Sequence, residues 1–291
     1  MIPNTAPHRF LLLTIFIFVS ALQAKAGETT RKEVEAPRWH DMITNIPGDY
    51  AAWWKDTWQP STLPAFTLVT VSTAGLVITD YQTWKPFSRR YEKGGTYKSI
   101  SDTFAVGGEG IFQFGLAGTL AVYGGIAGDK RALRTASQIV ESILITSGVV
   151  QFLKHATGRE SPSAASTPTG RWVAFPSIKR YYSRVSQYDA FPSGHLATTL
   201  TTIHVAAFNY PEAASWIYGL GYPFATLVAF GLVATGGHWW SDYPLSIMFA
   251  HQFAKVVTRN NGSPVEKTSL LSPRMQPMMT GAPGVLLSWD F

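Results

Sequence analysis

Six apolar stretches of helical length constrain the fold of this chain more than any other feature. They cover residues 62–79, 106–127, 135–153, 194–208, 214–235 and 240–257. Two of them carry internal acidic residues, Glu109 and Glu141, and polar side chains at such depth normally face the interior of a bundle. Only the last few residues alternate with the period of two that is typical of a strand. We therefore predict an all-α fold, a helical bundle of about six apolar helices.

Composition favours association with a membrane but does not distinguish an integral protein from a peripheral one. Charged residues make up 14% of the sequence, against roughly 25% in an average soluble domain. The mean hydropathy is only +0.04, which is low for a chain that lies mostly in lipid. An integral protein and a peripheral or periplasmic one are therefore both open. Because the net charge of +6 forms no basic stripe with interleaved aromatic residues, nucleic acid is not a predicted partner.

The absence of cysteine limits the chemistry that the chain can perform. A thiol nucleophile, a thiolate metal site and a disulfide framework are all excluded. Any reaction must therefore use histidine, lysine, arginine, serine or carboxylate side chains.

The first residues predict export. His8 and Arg9 precede an apolar run over residues 10–22 and then Ala24-Lys25-Ala26, a small-x-small cleavage pattern. We read residues 1–26 as a secretory signal peptide. The alternative is an uncleaved anchor, although the run is shorter than the ~20 residues that a membrane span requires. The predicted location is the bacterial cell envelope, as a membrane-integral or membrane-associated protein.

The rest of the chain divides into three predicted parts. Residues 27–60 form a polar, Trp-rich N-terminal segment, whose indole rings suit either a membrane interface or simple packing. Residues 61–258 form the helical domain, and residues 259–291 form a C-terminal tail. The alternating stretch 284–291 resembles the last strand of outer-membrane barrels, and an ordinary tail is the alternative.

Two basic clusters bear on the orientation of the chain. The larger one lies between the first two apolar stretches, around Arg89 and Arg90, and would be cytoplasmic if the helices span the membrane. A cleaved signal would then leave the motifs described below on the cytoplasmic side. A retained anchor, or helices that do not all span, would reverse this. We expect the active site on the periplasmic side.

Three short segments carry phosphate-compatible groups, and the second of them predicts an anion site. In Pro192-Ser193-Gly194-His195, Ser193 and Gly194 open a predicted helix whose free backbone amides can bind an anion. His195 lies at the rim of this site, where it can donate a proton.

The other two segments predict a nucleophile and fixed positive charge. The i, i+4 spacing of His238 and Asp242 would place both side chains on one helix face, where the carboxylate accepts from one imidazole nitrogen. The other nitrogen is then free to attack. Lys154 and Arg159 add the positive charge that a phosphoryl group in transfer requires.

The order and spacing of these residues resemble the signature of the type 2 phosphatidic acid phosphatase and vanadium haloperoxidase superfamily. That signature reads Lys, six residues, Arg-Pro; then Pro-Ser-Gly-His; then Ser-Arg, five residues, His, three residues, Asp. The resemblance covers about residues 100 to 257. It implies a helical bundle and hydrolysis without a metal or other cofactor.

The resemblance also implies a role for each matching residue. His238 would attack phosphorus to form a phosphohistidine, Asp242 would orient His238, and His195 would protonate the leaving alcohol. The phosphoryl oxygens would be bound by Lys154, Ser193 and Gly194.

The chain departs from this signature at both arginines. The expected Arg-Pro falls on Ser161-Pro162, and the expected Ser-Arg falls on Gly231-Leu232. Arg159 is the expected substitute for one phosphate contact. The other contact could come from the loop before Pro192, which contains Arg171, Lys179, Arg180 and Arg184.

The favoured hypothesis is a phosphoric monoester hydrolase of the lipid phosphatase type. Its substrate would be a phosphate or diphosphate monoester of a lipid or polyprenyl alcohol, met at the membrane. The missing arginines motivate a second hypothesis, a catalytically silent relative that binds phosphate-bearing lipid. Vanadium-dependent halide oxidation is less favoured, because vanadate would need the same missing charges. The sequence does not predict the oligomeric state.

Overall fold

The fold is a bundle of α-helices, and this computed structural model describes residues 36–262 together with the short segments 274–277 and 285–288. The predicted signal peptide, residues 1–26, lies outside the described residues, as does most of the predicted tail. The boundaries predicted at residues 60 and 258 stay predictions.

Ten α-helices are present in the described part of the chain. They are α1 (Asp41–Thr44), α2 (Ile46–Thr57), α3 (Leu63–Glu92), α4 (Gly95–Gly107), α5 (Gly110–Ala127), α6 (Lys130–Thr157), α7 (Ile178–Ser183), α8 (Gly194–Asn209), α9 (Ala214–Ala234) and α10 (Tyr243–Asn260). Each of the six predicted apolar stretches forms a helix, namely α3, α5, α6, α8, α9 and α10. The predicted all-α bundle is confirmed, with α1, α2, α4 and α7 in addition.

Glycine and an N-cap aspartate set the corner between α5 and α6. Gly128 ends α5 with a positive φ of 67°, a conformation that favours glycine. Asp129 then begins α6, because its Oδ1 accepts hydrogen bonds from the backbone N–H groups of Arg131 at 2.9 Å and Ala132 at 3.2 Å. The two helices therefore pack as antiparallel neighbours.

Helix α8 lies at the centre of the bundle. It packs against α6, α9 and α10, and nearly all of its side chains are buried. Ile139 and Ile143 of α6 meet Leu200 and Ile203 of α8 in the largest apolar cluster. Because α8 begins at Gly194, this buried helix fixes the position of the predicted anion site within the bundle.

Within the described residues, four helical segments are long and apolar enough to cross a membrane. They are Pro60–Glu92, Gly110–Ala127, Lys130–Thr157 and Pro211–Ala234. The most apolar part of the first contains no buried residue, and Leu68 and Ile78 of α3 are 70% and 74% exposed. Exposed aliphatic side chains on helices of this length support membrane association.

The N-terminal segment packs on the helical domain through α2. Trp53 stacks on Phe253 of α10 with ring centroids 4.8 Å apart, and its Nε1 donates to Gln252 Oε1 at 2.9 Å. Trp54 and Trp58 are instead 60% and 65% exposed. Trp53 therefore fits the packing alternative, whereas the exposed indoles suit an interface.

A short hairpin follows the bundle. Strands β1 (Arg274–Pro277) and β2 (Val285–Ser288) pair antiparallel, with Arg274 opposite Ser288. Strand β2 lies within the alternating stretch predicted over 284–291. The outer-membrane connection stays a prediction.

Helix α4, one of the four helices that the apolar pattern did not reveal, packs backbone to backbone against α9. A Cβ on Gly231 would lie 2.6 Å from the carbonyl oxygen of Ser101 and 2.9 Å from the backbone nitrogen of Ala105. Any side chain at position 231 therefore pushes α4 away from α9.

We predict that Gly231→Ala lowers the free energy of unfolding by about 1–3 kcal/mol, because the added methyl overpacks this contact. Gly219→Ala in the same helix is the matched control, since a Cβ there has no atom within 4 Å. It should leave stability unchanged or raise it by roughly 0.5–1 kcal/mol, as for a glycine replaced inside a helix. Chemical denaturation of both variants checks this, and equal effects would contradict the backbone contact.

Candidate active site

The predicted nucleophile, His238, meets Asp242 across a turn. We expected the pair on one helix face, and this expectation is wrong. Trp239 is extended, residues 240–242 form a short 3₁₀ turn, and α10 begins only at Tyr243. Asp242 Oδ2 accepts the backbone N–H of Trp239 at 2.7 Å, which closes the turn. This bond brings the carboxylate back to His238, so the pair forms without a helix.

The surroundings of His238 determine which ring nitrogen carries the proton. Nδ1 lies 2.8 Å from the carbonyl oxygen of Ala190 and 3.3 Å from Asp242 Oδ2. Both neighbours are acceptors, so Nδ1 must donate. Nε2 then carries the lone pair. The side chain is buried and held, as an oriented nucleophile requires.

His195 faces the His238 ring, with ring centroids 5.7 Å apart. Burial lowers the pKa of His195 to about 3; the charges of His238 and Lys154 also lower it, and Asp189 opposes them. Its buried Nδ1 has no hydrogen-bond partner within the described part of the chain. His195 is therefore uncharged at neutral pH, and a bound dianion would raise its pKa.

The start of α8 provides the predicted anion site. Ser193 is the N-cap, and its Oγ accepts the backbone N–H of Leu196 at 3.4 Å. This leaves the Gly194 and His195 amides at the end of the helix that attracts negative charge. The Ser193 backbone N–H donates to the carbonyl oxygen of Asp242 at 3.1 Å. This bond joins the start of α8 to residues 238–242, which contain the predicted nucleophile and are called the nucleophile turn below.

Lys154 lies beside the start of α8 and is already paired. A Cβ on Gly194 would be 3.8 Å from Lys154 Cε. Lys154 Nζ donates to the carbonyl oxygen of Asp189 at 2.7 Å and to Asp189 Oδ2 at 2.5 Å. Tyr181 donates its hydroxyl to the other carboxylate oxygen of Asp189. A phosphoryl group must therefore share Lys154 with Asp189.

Arg159 is fully buried and is bound mainly by carboxylates. Its Nη1 donates to Asp242 Oδ1 at 2.6 Å and to Ser241 Oγ at 2.6 Å. Its Nη2 donates to Asp80 Oδ2 at 2.6 Å and to the carbonyl oxygen of Thr169 at 2.9 Å. Nε has no partner within the described residues. Only this atom is left for the phosphate contact predicted for Arg159, which stays a prediction.

Glu160 anchors the loop that follows Arg159. Burial alone would raise the pKa of Glu160, but hydrogen bonds from the backbone N–H groups of Ser166 and Arg171 lower it overall. Its own carbonyl oxygen accepts Trp239 Nε1 at 2.8 Å. The loop is thereby tied to the nucleophile turn.

A sequence comparison covers most of these residues. The profile of the PAP2 superfamily matches residues 135–262, from Thr135 near the start of α6 to just beyond α10. Over these residues, which make up less than half of the chain, the protein is similar to the PAP2 superfamily. No curated protein and no solved structure gives a significant match.

Both departures from the expected signature lie at buried positions. Ser161 is buried, and its backbone N–H donates to the carbonyl oxygen of Ser186 at 2.8 Å. Leu232 is also buried, and its carbonyl oxygen accepts the backbone N–H of His238 at 3.3 Å. Gly231 lies against the backbone of α4, where a side chain has no room.

The predicted loop cations lie at the surface, and two carboxylates that were not predicted lie in the site. Arg171, Lys179, Arg180 and Arg184 are all exposed. Asp80 and Asp189 were not predicted from the sequence, and both pair with the predicted cations. A lone aspartate within an apolar helix is a signal that could have found Asp80. Asp80 lies on α3, outside the PAP2 match.

We predict that sulfate, a stable dianion, binds the purified protein more tightly at pH 5 than at pH 8. A dianion beside His195 raises the pKa of its imidazole, which is about 3 without the dianion, so binding takes up a proton and weakens as pH rises. Calorimetric titration across this range measures the effect. His195→Asn should remove the pH dependence; its persistence in that variant would assign it to another group.

Proposed function

We propose that this protein is a membrane-associated phosphatase that hydrolyses a phosphate or diphosphate monoester of a lipid or polyprenyl alcohol through a phosphohistidine. The observation that carries the proposal is the buried His238 ring, with Nδ1 donating to two acceptors and His195 opposite. Similarity to the PAP2 superfamily over residues 135–262 supports a phosphatase-like activity.

The proposed reaction has two steps. The lone pair on His238 Nε2 attacks the terminal phosphorus, and the P–O bond to the leaving group breaks; this group is the alcohol for a monophosphate and the alcohol monophosphate for a diphosphate. The leaving oxygen takes a proton from His195. Asp242 stabilises the positive imidazole that forms. Water then attacks phosphorus and gives a proton to His195, and the P–N bond breaks to release inorganic phosphate. The phosphoryl oxygens are bound by Lys154 and the amides at the start of α8.

The loop between α6 and α8 supports a substrate held at a membrane surface. Residues 161–188 contain four basic residues and no acidic one. Its exposed apolar side chains include Phe175, Ile178 and Tyr182, at 63%, 68% and 69%. The loop begins just after Lys130–Thr157, a segment that could span the membrane. Basic and aromatic residues in this position suit an anionic lipid interface.

The paired cations favour a second candidate function. Lys154 is bound by Asp189, and both Nη atoms of Arg159 are bound by carboxylates. A protein with few free charges for a phosphoryl group could bind phosphate-bearing lipid without turning it over. The two candidates differ in whether wild-type protein releases phosphate.

We expect purified wild-type protein to release phosphate from phosphatidic acid or a polyprenyl diphosphate, and His238→Ala to release none. Labelled substrate, quenched rapidly, should leave an acid-labile phosphoryl group on the wild type alone, because phosphohistidine hydrolyses in acid. His40→Ala, a histidine outside the matched region, is the control and should behave as wild type. Lipid binding without release by either protein would establish the silent relative.

We also predict that removing three loop cations, in Lys179→Gln/Arg180→Gln/Arg184→Gln, raises the KM for phosphatidic acid in anionic vesicles. Each charge near such a surface contributes about 1 kcal/mol, so the combined effect should exceed tenfold. In vesicles whose carrier lipid is zwitterionic the difference should largely disappear. An equal rise in both carriers would place these cations at the substrate phosphate.

A further inference from the structure

A fully buried carboxylate reaches the site from outside the PAP2 match. Asp80 belongs to α3, whose neighbouring side chains along the chain are mostly apolar. Its Oδ2 accepts hydrogen bonds from Arg159 Nη2 at 2.6 Å and from Ser241 Oγ at 2.5 Å. Its Oδ1 lies 3.3 Å from the backbone N–H of Ser241. Asp80 therefore binds Arg159, which also binds Asp242, and Ser241, which directly precedes Asp242 in the turn.

Arg159 divides its two Nη atoms between two carboxylates. Nη1 donates to Asp242 Oδ1 and Nη2 donates to Asp80 Oδ2, each at 2.6 Å. An arginine facing a single carboxylate tends to pair with both of its oxygens. Here Asp80 occupies Nη2, so Asp242 Oδ2 is left for the His238 ring and the Trp239 amide.

The contact between His238 and Asp242 depends on this arrangement and is the longest of those that the Asp242 carboxylate makes. His238 Nδ1 lies 3.3 Å from Asp242 Oδ2, whereas the Arg159 and Trp239 donors lie at 2.6 and 2.7 Å. If Arg159 lost Asp80, it would attract both oxygens of Asp242. The His238 contact is the one that would lengthen first.

We propose that Asp80 is a positioning residue for the nucleophile: by holding Arg159 and Ser241, it keeps Asp242 Oδ2 directed at His238. This inference rests on the proposed function, since it assigns Asp80 a part in the same reaction. It also gives Arg159 a role other than the phosphate contact predicted from the signature. Both residues act through Asp242 rather than on the substrate.

The test compares Asp80→Asn with Asp49→Asn. Asp49 is also a buried carboxylate, but it accepts from Asn260 and Asn261 at the C-terminal end of α10. We expect Asp80→Asn to lower kcat by about 10- to 100-fold, as for groups that orient a ligand or base through one intermediate, with KM within about twofold of wild type. Asp49→Asn should retain wild-type kcat. A wild-type kcat in folded Asp80→Asn, or a change in KM alone, overturns the inference.

A double variant separates positioning from charge balance. Asp80→Asn/Arg159→Gln removes one negative and one positive charge, so the buried network keeps its net charge and avoids an arginine with a single partner. If Asp80 and Arg159 position Asp242, kcat stays low in a variant that melts like wild type. Recovery of wild-type kcat would show that Asp80 only neutralises Arg159.

A spectroscopic measurement keeps the inference separate from the proposed function. Nitrogen NMR of histidine-labelled protein, with His238 assigned by comparison with His238→Ala, reports the hydrogen bonding of Nδ1–H. Both proteins should keep the proton on Nδ1, because the Ala190 carbonyl accepts it, but the Nδ1–H resonance should shift in Asp80→Asn as the contact with Asp242 lengthens. A resonance that coincides with that of wild type overturns the positioning role even if no substrate is turned over. A wild type that is inactive on every substrate, with the shift present in Asp80→Asn, overturns the proposed function alone.

Discussion

The guanidinium of Arg159 joins the fold to the candidate active site. It lies fully buried between Asp80 of α3 and Asp242 at the start of α10. Burying an ion without a partner costs several kcal/mol, and removing one partner of a buried pair typically costs about 3–5 kcal/mol. α3 packs against the 3₁₀ turn at residues 240–242, and Ser241 within that turn completes the network. The loop after α6, helix α3 and the nucleophile turn therefore hold one another in place.

The carboxylate partners reduce the positive charge that the cations of the site can offer to a phosphoryl group. Lys154 and Arg159 are each matched by carboxylates, so they contribute less free positive charge than their number suggests. By contrast, among the described residues no carboxylate accepts a hydrogen bond from the backbone amides of Gly194 and His195 at the start of α8. An incoming phosphoryl group must compete with Asp189 for Lys154, and the energy for that competition has to come from elsewhere in the substrate. A long apolar chain held by the membrane is a suitable source, because remote binding energy can act at the reacting centre.

The sequence predicted the helices and the matching residues better than it predicted their partners. Apolar runs are local signals, and all six of them form helices. Pairing is not local: Asp80 and Arg159 are separated by 79 positions, and nothing in either segment indicates the other. Helix α4 was missed because its contact with α9 depends on backbone approach at Gly231, which leaves no apolar pattern. The spacing of His238 and Asp242 predicted their meeting but not its geometry, since Trp239 is extended and the helix begins at Tyr243, five residues after His238.

The two departures from the signature in the third segment lie where the chain is closely packed. At position 231 the backbone of α4 leaves no room for a side chain, and at position 232 a buried leucine lies beside the carbonyl that receives the His238 amide. The buried arginine at position 159 is bound instead to Asp80 and Asp242. In the proposed phosphatase these contacts would orient His238 rather than bind the phosphoryl group, and a substrate concentrated at the membrane would need less help from the site to be captured.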